Sequence, residues 1–313
     1  MKALVLEAPR RLRLHERPPC ATGPGDVIVD VELTGIGGSE YLAFAAPGLR
    51  RLPNVMGHGI VGTDPDGRAV AVNPLRGCGT CEFCVADLRQ LCETWSLIGV
   101  QCDGGFAEQV AVPEASLVPL PAALTWEQAA FIEPFANAVN AWDRSQAGPS
   151  AAVAVLGAGG LGLGLVARAK AAGCATIEVG EPSATRRDAA LALGATAAAP
   201  GLAGRYDVVF DSVGSTESRQ TAIELTRRGG ASVLLGFAAP LLELDAIRLI
   251  RDQKRLIGAF VYSGEQFRQA VGLAARTESA WVRNVRFSEV DSLLTAYLDG
   301  DFSVVKAALR PTW

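Results

Sequence analysis

The chain has 313 residues, of which 49% are hydrophobic and 20% charged, and its formal net charge is −4. That length suits two cores better than one, and the positive mean hydropathy describes a globular protein. The acidic balance, with no polybasic run, excludes a nucleic-acid surface and an anionic membrane surface as partners. The opening "MKALVLEAPRRLRLHERPP" has no apolar run of signal-peptide length. The longest apolar stretch, 153–166, is interrupted by glycines and cannot span a bilayer. A cytoplasmic location is therefore expected, where thiols stay reduced.

In chain order, the first 120 residues carry short β-type runs: "MKALVLE", "DVIVDVEL", "GIVGT", "RAVAVNP" and "FAEQVAVP". Asp66-Gly67 is a tight-turn pair between two of them. At Thr125 the texture changes. Thr125 and Gln128 stand at capping-box spacing, and "TWEQAAFIEPFANAVNAW" reads as one continuous helix. From Ala152 a βα rhythm follows: strand "AVAVLG", helix 161–172 stopped by Gly173, strand "ATIEVG", helix 187–193 stopped by Gly194, and strand "YDVVFDS". Helix "TESRQTAIELTRR", strand "ASVLLGF", helix "LDAIRLIRDQK" and strand "LIGAFVY" continue it. A last helix, "FSEVDSLLTAYLDG", precedes a final strand, "VVKAALRP". This is an α/β chain in which the alternation predicts a doubly wound parallel sheet behind a β-rich first part.

Gly157, Gly159 and Gly162 form G-x-G-x-x-G directly after a β-run and at the start of a helix. Glu181 ends the next strand, at the fingerprint's distance of about 20 residues. Such glycines allow a tight turn and close backbone approach, so that a pyrophosphate can rest on the helix N-terminus. Glu181 can accept hydrogen bonds from ribose hydroxyls, which favours NAD(H). Arg186 and Arg187 follow closely enough to receive a 2′-phosphate, so NADP(H) stays open.

Cys78, Cys81, Cys84 and Cys92 make C-x2-C-x2-C-x7-C on a short loop. Four thiolates at this spacing suit one tetrahedral structural Zn²⁺ with no open position, with an iron–sulfur cluster or free thiols as the alternatives. Cys20, Cys102 and Cys174 stand alone and read as small hydrophobes or surface thiols.

With these motifs in place, the chain resembles the zinc-containing medium-chain dehydrogenase/reductases, and within them the polyol (sorbitol) and threonine dehydrogenase branch. The resemblance runs over essentially the whole length: "MKALVLEAP", "GPGDVIVDVELTGIGGSE", "MGHGIVG", the cysteine loop, "DGGFAEQVAVP", "EPFANAVNAW", "VLGAGGLG", "DVVFDSVGS" and "KRLIGAF". It implies a GroES-like catalytic β-domain over 1–134, a Rossmann dinucleotide-binding domain over 135–268, and a return to the first domain over 269–313. It also implies an active site in the cleft between the domains and a homodimer or homotetramer. Gly160 and Leu161, Ser212 and Val213, and Gly236 join Gly157, Gly159, Gly162, Glu181 and Arg186 as cofactor contacts.

The same resemblance exposes departures. In the family a second, catalytic zinc is held by a Cys in "G-x-C-G-S/T-D", the His of "GHE" and, in the polyol branch, the Glu of "EP". Here the first segment is "GIGGSE", with Gly37 at the ligand position. His58 and Glu133 are kept, Gly59 replaces the acid after the histidine, Leu42 stands where many members place a relay His, and Ser39 keeps the relay hydroxyl. Glu40 would reach a metal only with the loop rebuilt. Two ligands fall short of the three that a catalytic zinc needs, so the sequence predicts no catalytic Zn²⁺.

The expected activity is hydride transfer between NAD(P)(H) and a small polar alcohol or its ketone, of polyol or amino-alcohol type, with Ser39, His58 and Glu133 as the catalytic set. Only two histidines exist, and His15 lies in a charged stretch, which leaves His58 as the acid–base candidate. Three alternatives remain at this level: zinc-independent reduction of a polarised C=C or iminium bond, non-catalytic nucleotide binding, and the conventional zinc enzyme.

Overall fold

The computed structural model describes residues 1–48 and 50–312. By internal contacts the chain forms two compact units, Met1–Glu133 with Tyr262–Trp313, and Pro134–Val261. The sequence puts these two boundaries after residues 134 and 268.

The first unit is organised by the long strand Asp26–Ile36, whose alternate residues Val29, Val31 and Leu33 are buried. Its first half pairs antiparallel with Gln109–Pro113, and its second half with Lys306–Leu309, which brings the end of the chain back to this sheet. On its other side lies Gly59–Thr63, in a register that sets Gly35 opposite Gly59. That register carries the two segments that follow and precede these strands, 37–40 and 58, side by side. Ala69–Val72 and Leu117–Pro119 extend the sheet. A second sheet centres on Lys2–Ala8, flanked by Arg11–Glu16 and Asn54–Val55. Leu4, Leu6, Phe44, Met56, Phe106, Leu294 and Leu309 share one core. The Asp66-Gly67 turn forms as read, with Gly67 at φ 78° and its N–H on the Asp64 carbonyl at 2.9 Å.

The second unit is a six-stranded parallel sheet in the order Ala197–Ala199, Thr176–Gly180, Ala152–Leu156, Tyr206–Asp211, Thr226–Leu234, Arg255–Gly258. Helix Gly160–Ala171 follows the first of these strands in sequence. Helix Ala184–Leu193 is capped by Ser183, whose hydroxyl accepts from Arg186, and stops at Gly194 in the left-handed conformation (φ 118°), which glycine adopts without a Cβ penalty. Phe210, fully buried on the central strand, stacks on Trp142 with centroids 6.1 Å apart. Among the described residues no helix is long and apolar enough to cross a membrane.

Three elements differ from the sequence reading. The single helix expected from Thr125 is two, Trp126–Ala129 and Ile132–Ser145. Pro134 has no N–H to give to the Ala130 carbonyl, so a continuous helix would lose that bond, whereas in the first turn of a new helix the missing donor costs nothing. Thr226–Arg228, expected to end a helix, instead begin a strand. The Thr226 hydroxyl bonds the Ala222 carbonyl at 2.8 Å and the Ser232 hydroxyl at 2.7 Å, closing the helix one turn early. The strand expected through Tyr262 ends at Gly258, ahead of Val261, which sits at φ 53° and turns the chain.

Removing the Phe210 ring leaves a cavity beside Trp142 in a packed sheet. Phe210→Ala is expected to destabilise the protein by about 3–5 kcal/mol, read as a lower midpoint in chemical denaturation.

Candidate active site

Helix Gly38–Ala45 starts as strand Asp26–Ile36 ends, with Gly37 as its N-cap. Glu40, at the third helical position, reaches back so that its Oε2 accepts the Gly37 N–H at 2.9 Å and the Ser39 hydroxyl at 3.1 Å. Its other oxygen lies 2.7 Å from His58 Nδ1 and 3.6 Å from Arg50 Nη2. The Glu40 side chain is 2% exposed. Burial raises its pKa, but His58 and Arg50 outweigh that and hold the carboxyl down at about 2. Burial pushes His58 down in turn, and the carboxylates of Glu40 and Glu133 more than reverse it, so the imidazole sits above its ordinary value.

With Nδ1 turned to Glu40, His58 presents Nε2 to Ser39 Oγ at 3.4 Å and Glu133 Oε2 at 3.7 Å. His58 and Glu133 keep 12% and 14% side-chain exposure. Tyr262, fully buried, donates its hydroxyl to Glu133 Oε1 at 3.2 Å. Burial, reinforced by Glu133, raises the phenol well above its usual range and keeps it a donor. Ser39, His58 and Glu133 thus converge. Sequence reasoning weighed Glu40 only as a metal ligand that needs a rebuilt loop, and missed Arg50 and Tyr262. Only the helical i+3 return of Glu40 toward Gly37 could have been found from sequence, because Arg50 and Tyr262 enter from segments with no motif. Glu40 reaches His58 through an ordinary helical turn, with no rebuilt loop, but at the nitrogen facing away from Ser39. Around Nε2 the protein offers an imidazole and one carboxylate, one donor short of a three-ligand zinc.

In the second unit Gly157 adopts φ 88°, and a Cβ on Gly162 would collide with the Gly157 carbonyl. Both positions therefore require glycine, with Gly159 capping helix Gly160–Ala171, which also contains Leu161. Glu181 is 5% exposed, its two oxygens held by the Ala158 and Ser183 N–H groups at 2.8 and 2.9 Å. Ser212 donates to the Leu156 carbonyl at 2.7 Å, beside the glycine turn. Val213 is exposed, and Gly236 packs so tightly on Val213 and Gly214 that no side chain fits. A guanidinium nitrogen of Arg186 would lie 4.0 Å from a Cβ on Gly159. Arg187 spends its guanidinium on the Glu181 and Pro182 carbonyls at 2.7 and 2.6 Å.

Cys78, Cys81, Cys84 and Cys92 bring four Sγ atoms within 4.8 Å of one another, the one such grouping of three or more His, Cys, Asp or Glu ligand atoms among the described residues. Cys78 and Cys84 Sγ are 3.9 Å apart. A tetrahedron with Zn–S bonds of about 2.3 Å has edges of about 3.8 Å, so the quartet fits a closed zinc site. The Thr80 N–H and then its hydroxyl hold the Cys78 thiol down at about 6, favouring the thiolate that a metal needs. Gly77 leaves room for the Cys84 sulfur, which would lie 2.6 Å from a Cβ there.

The profile of the alcohol dehydrogenase GroES-like domain matches residues 23–122, and that of the zinc-binding dehydrogenases residues 160–276. An L-threonine 3-dehydrogenase of Streptomyces coelicolor is 32% identical over 296 residues, covering 85% of each chain. The chain belongs to the zinc-type medium-chain dehydrogenase/reductase family. It is an NAD(P)-dependent oxidoreductase with a GroES-like β-domain and a Rossmann domain. An L-galactonate-5-dehydrogenase of Escherichia coli K12 is 28% identical over 299 residues, 88% of this chain and 87% of that protein. The crystal structure of a zinc-binding dehydrogenase from Sinorhizobium meliloti bound to NADP superposes with a TM-score of 0.90 at 28% identity, covering 99% of both chains.

In this dehydrogenase the depressed Glu40 pKa stabilises the fold above the unfolded value of 4.5, and that stabilisation is lost as pH falls from there toward about 2. The raised His58 pKa works oppositely, its contribution being full below the unfolded 6.5 and lost as pH rises through the folded value. Glu40→Gln should therefore be less stable than the native protein near pH 5.5, with the gap in unfolding free energy narrowing as both are taken below pH 4.5.

Proposed function

We propose that this dehydrogenase transfers hydride between NAD(H) and a small polar alcohol or its ketone, of polyol or amino-alcohol type, without a catalytic zinc. The observation that carries the reading is the cluster in which Glu40 grips His58 Nδ1 and leaves Nε2 beside Ser39, while Gly37 offers no thiolate. In the reducing direction a bound reduced nicotinamide would supply hydride for the carbonyl carbon; as the C=O π bond opens, the oxygen takes a proton from His58 Nε2, directly or through the Ser39 hydroxyl. Oxidation runs the same steps backwards. Zinc as a Lewis acid contributes several kcal/mol to such a step. Here the imidazolium and the Ser39 hydroxyl stabilise the developing charge on oxygen. Glu133, with Oε1 accepting from Tyr262 and Oε2 3.7 Å from His58 Nε2, lies where its carboxylate would meet a neighbouring substrate hydroxyl or amine. That role fits the polyol and amino-alcohol relatives.

NAD(H) is favoured over NADP(H) because Glu181 sets a buried carboxylate where a 2′-phosphate would bring a second negative charge, and Arg187 is already committed. Arg186 also stands beside the glycine loop, a guanidinium nitrogen 4.0 Å from a Cβ placed on Gly159. One structural zinc per chain, held by the four cysteines, shapes their loop and takes no part in hydride transfer. The reducing cytoplasm suits those thiols. A homodimer or homotetramer is supported by the exposed Leu241, Ile247 and Ile250 and by strand Arg255–Gly258, which closes one edge of the parallel sheet with no further strand beside it among the described residues.

Turnover of polyols, amino alcohols and their ketones, followed by NADH absorbance, tests this. His58→Gln is expected to lower kcat by about 10²–10⁴ with NADH affinity unchanged, and Ser39→Ala by a smaller factor. Native turnover in both variants contradicts the assignment.

A further inference from the structure

The cysteine loop reaches beyond its own sulfurs. After helix Glu82–Val85 the chain turns at Asp87, whose N–H bonds the Cys84 carbonyl at 3.2 Å and whose backbone is left-handed at φ 56°. A non-glycine residue held in that conformation needs surrounding contacts to keep it there. Asp87 has such a contact, because its Oδ2 accepts the Glu265 N–H at 3.2 Å, in the first turn of helix Gly264–Ala274. Gly264 makes room, since a Cβ there would stand 3.1 and 3.2 Å from the two carboxylate oxygens.

The same helix start carries Tyr262. Ser263 caps the helix, its hydroxyl accepting the Gln266 N–H at 3.2 Å while Gln266 Oε1 accepts the Ser263 N–H at 2.9 Å. Tyr262 precedes that cap, its ring lies on Phe267 of the same helix with centroids 5.4 Å apart, and its hydroxyl meets Glu133 Oε1 at 3.2 Å. Val261, immediately before, is also left-handed at φ 53°. One capped turn, 262–267, is therefore held by the cysteine loop at Glu265 and holds the Glu133 carboxylate through Tyr262.

We propose that Asp87 is a positioning residue of the reaction: by holding the first turn of helix Gly264–Ala274 it fixes the Tyr262 hydroxyl on Glu133, and so ties the substrate-binding carboxylate to the cysteine loop. This rests on the role given to Glu133 above. A side chain that only stabilised the helix would change unfolding and leave turnover alone. A positioning residue changes kcat in a protein that is still folded.

Asp87→Ala should expose the Glu265 amide to hydrogen exchange and lower kcat by about tenfold, the scale of a sub-ångström misplacement, with NADH affinity and zinc content unchanged. Asp87→Asn keeps an acceptor oxygen and should restore both readouts. Tyr262→Phe should lower kcat comparably and leave the Glu265 amide protected. The double variant should be no slower than the worse single one, since both break the same link. Gly264→Ala covers the case in which Asp87→Ala does not fold: it favours the helix yet crowds the carboxylate, so it should lower kcat without lowering stability. Multiplying effects in the double variant, or native kcat with an unprotected Glu265 amide, overturns the proposal. Native kcat in Glu133→Gln would instead remove the role of Glu133, while hydrogen exchange at Glu265 still reports on the Asp87 link.

Discussion

A carboxylate almost sealed from water must be answered by charge, and the catalytic end of this protein is arranged around that requirement at Glu40. His58 at 2.7 Å and Arg50 at 3.6 Å supply the cations, and the Gly37 N–H and the Ser39 hydroxyl take the second oxygen. The contacts of Glu40 Oε1 with His58 Nδ1 and Arg50 are ion pairs without hydrogen-bond alignment. The cluster therefore holds together by charge, in a medium where charge acts strongly. One consequence is chemical: Nδ1 of the imidazole faces Glu40, while Nε2 faces Ser39 and Glu133. Another is structural, since Glu40 also caps helix Gly38–Ala45, so the helix start and the histidine are set by one side chain.

The two metal-site patterns of the family have gone different ways in this chain. The four cysteines still converge at distances that zinc requires, and Gly77 still clears the space for Cys84. At the other pattern, the position of the thiolate is a glycine whose Cβ would lie 3.6 Å from Glu40 and 4.0 Å from the Lys306 ammonium. Glu40 and Glu133 set two carboxylates there against the two cations Arg50 and His58. Under the proposed function the roles separate: metal for shape at the cysteine loop, protein hydrogen bonds for charge on the substrate oxygen.

Much of this was legible in the sequence, for reasons that differ by element. The parallel sheet was readable because strands such as Ala152–Leu156, Thr176–Gly180 and Tyr206–Asp211 are short runs rich in β-branched residues, whereas the edge strand Ala197–Ala199, three alanines, carries no such signal. The glycine fingerprint was readable because Gly157 and Gly162 admit no side chain. The cysteine loop was readable from spacing alone. Ser39, His58 and Glu133 came from motif positions, and the Gly35–Gly59 register explains why two of them meet. Glu40, Arg50 and Tyr262 were not readable as a group, since ion pairs between segments depend on packing that no local pattern encodes. The break at Pro134 and the strand at Thr226–Arg228 were missed for a related reason: one missing donor and one hydroxyl bond each overrode a plausible helical run.

The central claim is that metal serves structure alone in this enzyme, and elemental analysis of the purified protein tests it most directly. The account predicts one zinc per chain, lost in Cys92→Ser and retained in His58→Gln. Two equivalents, with one of them lost in His58→Gln, would contradict it.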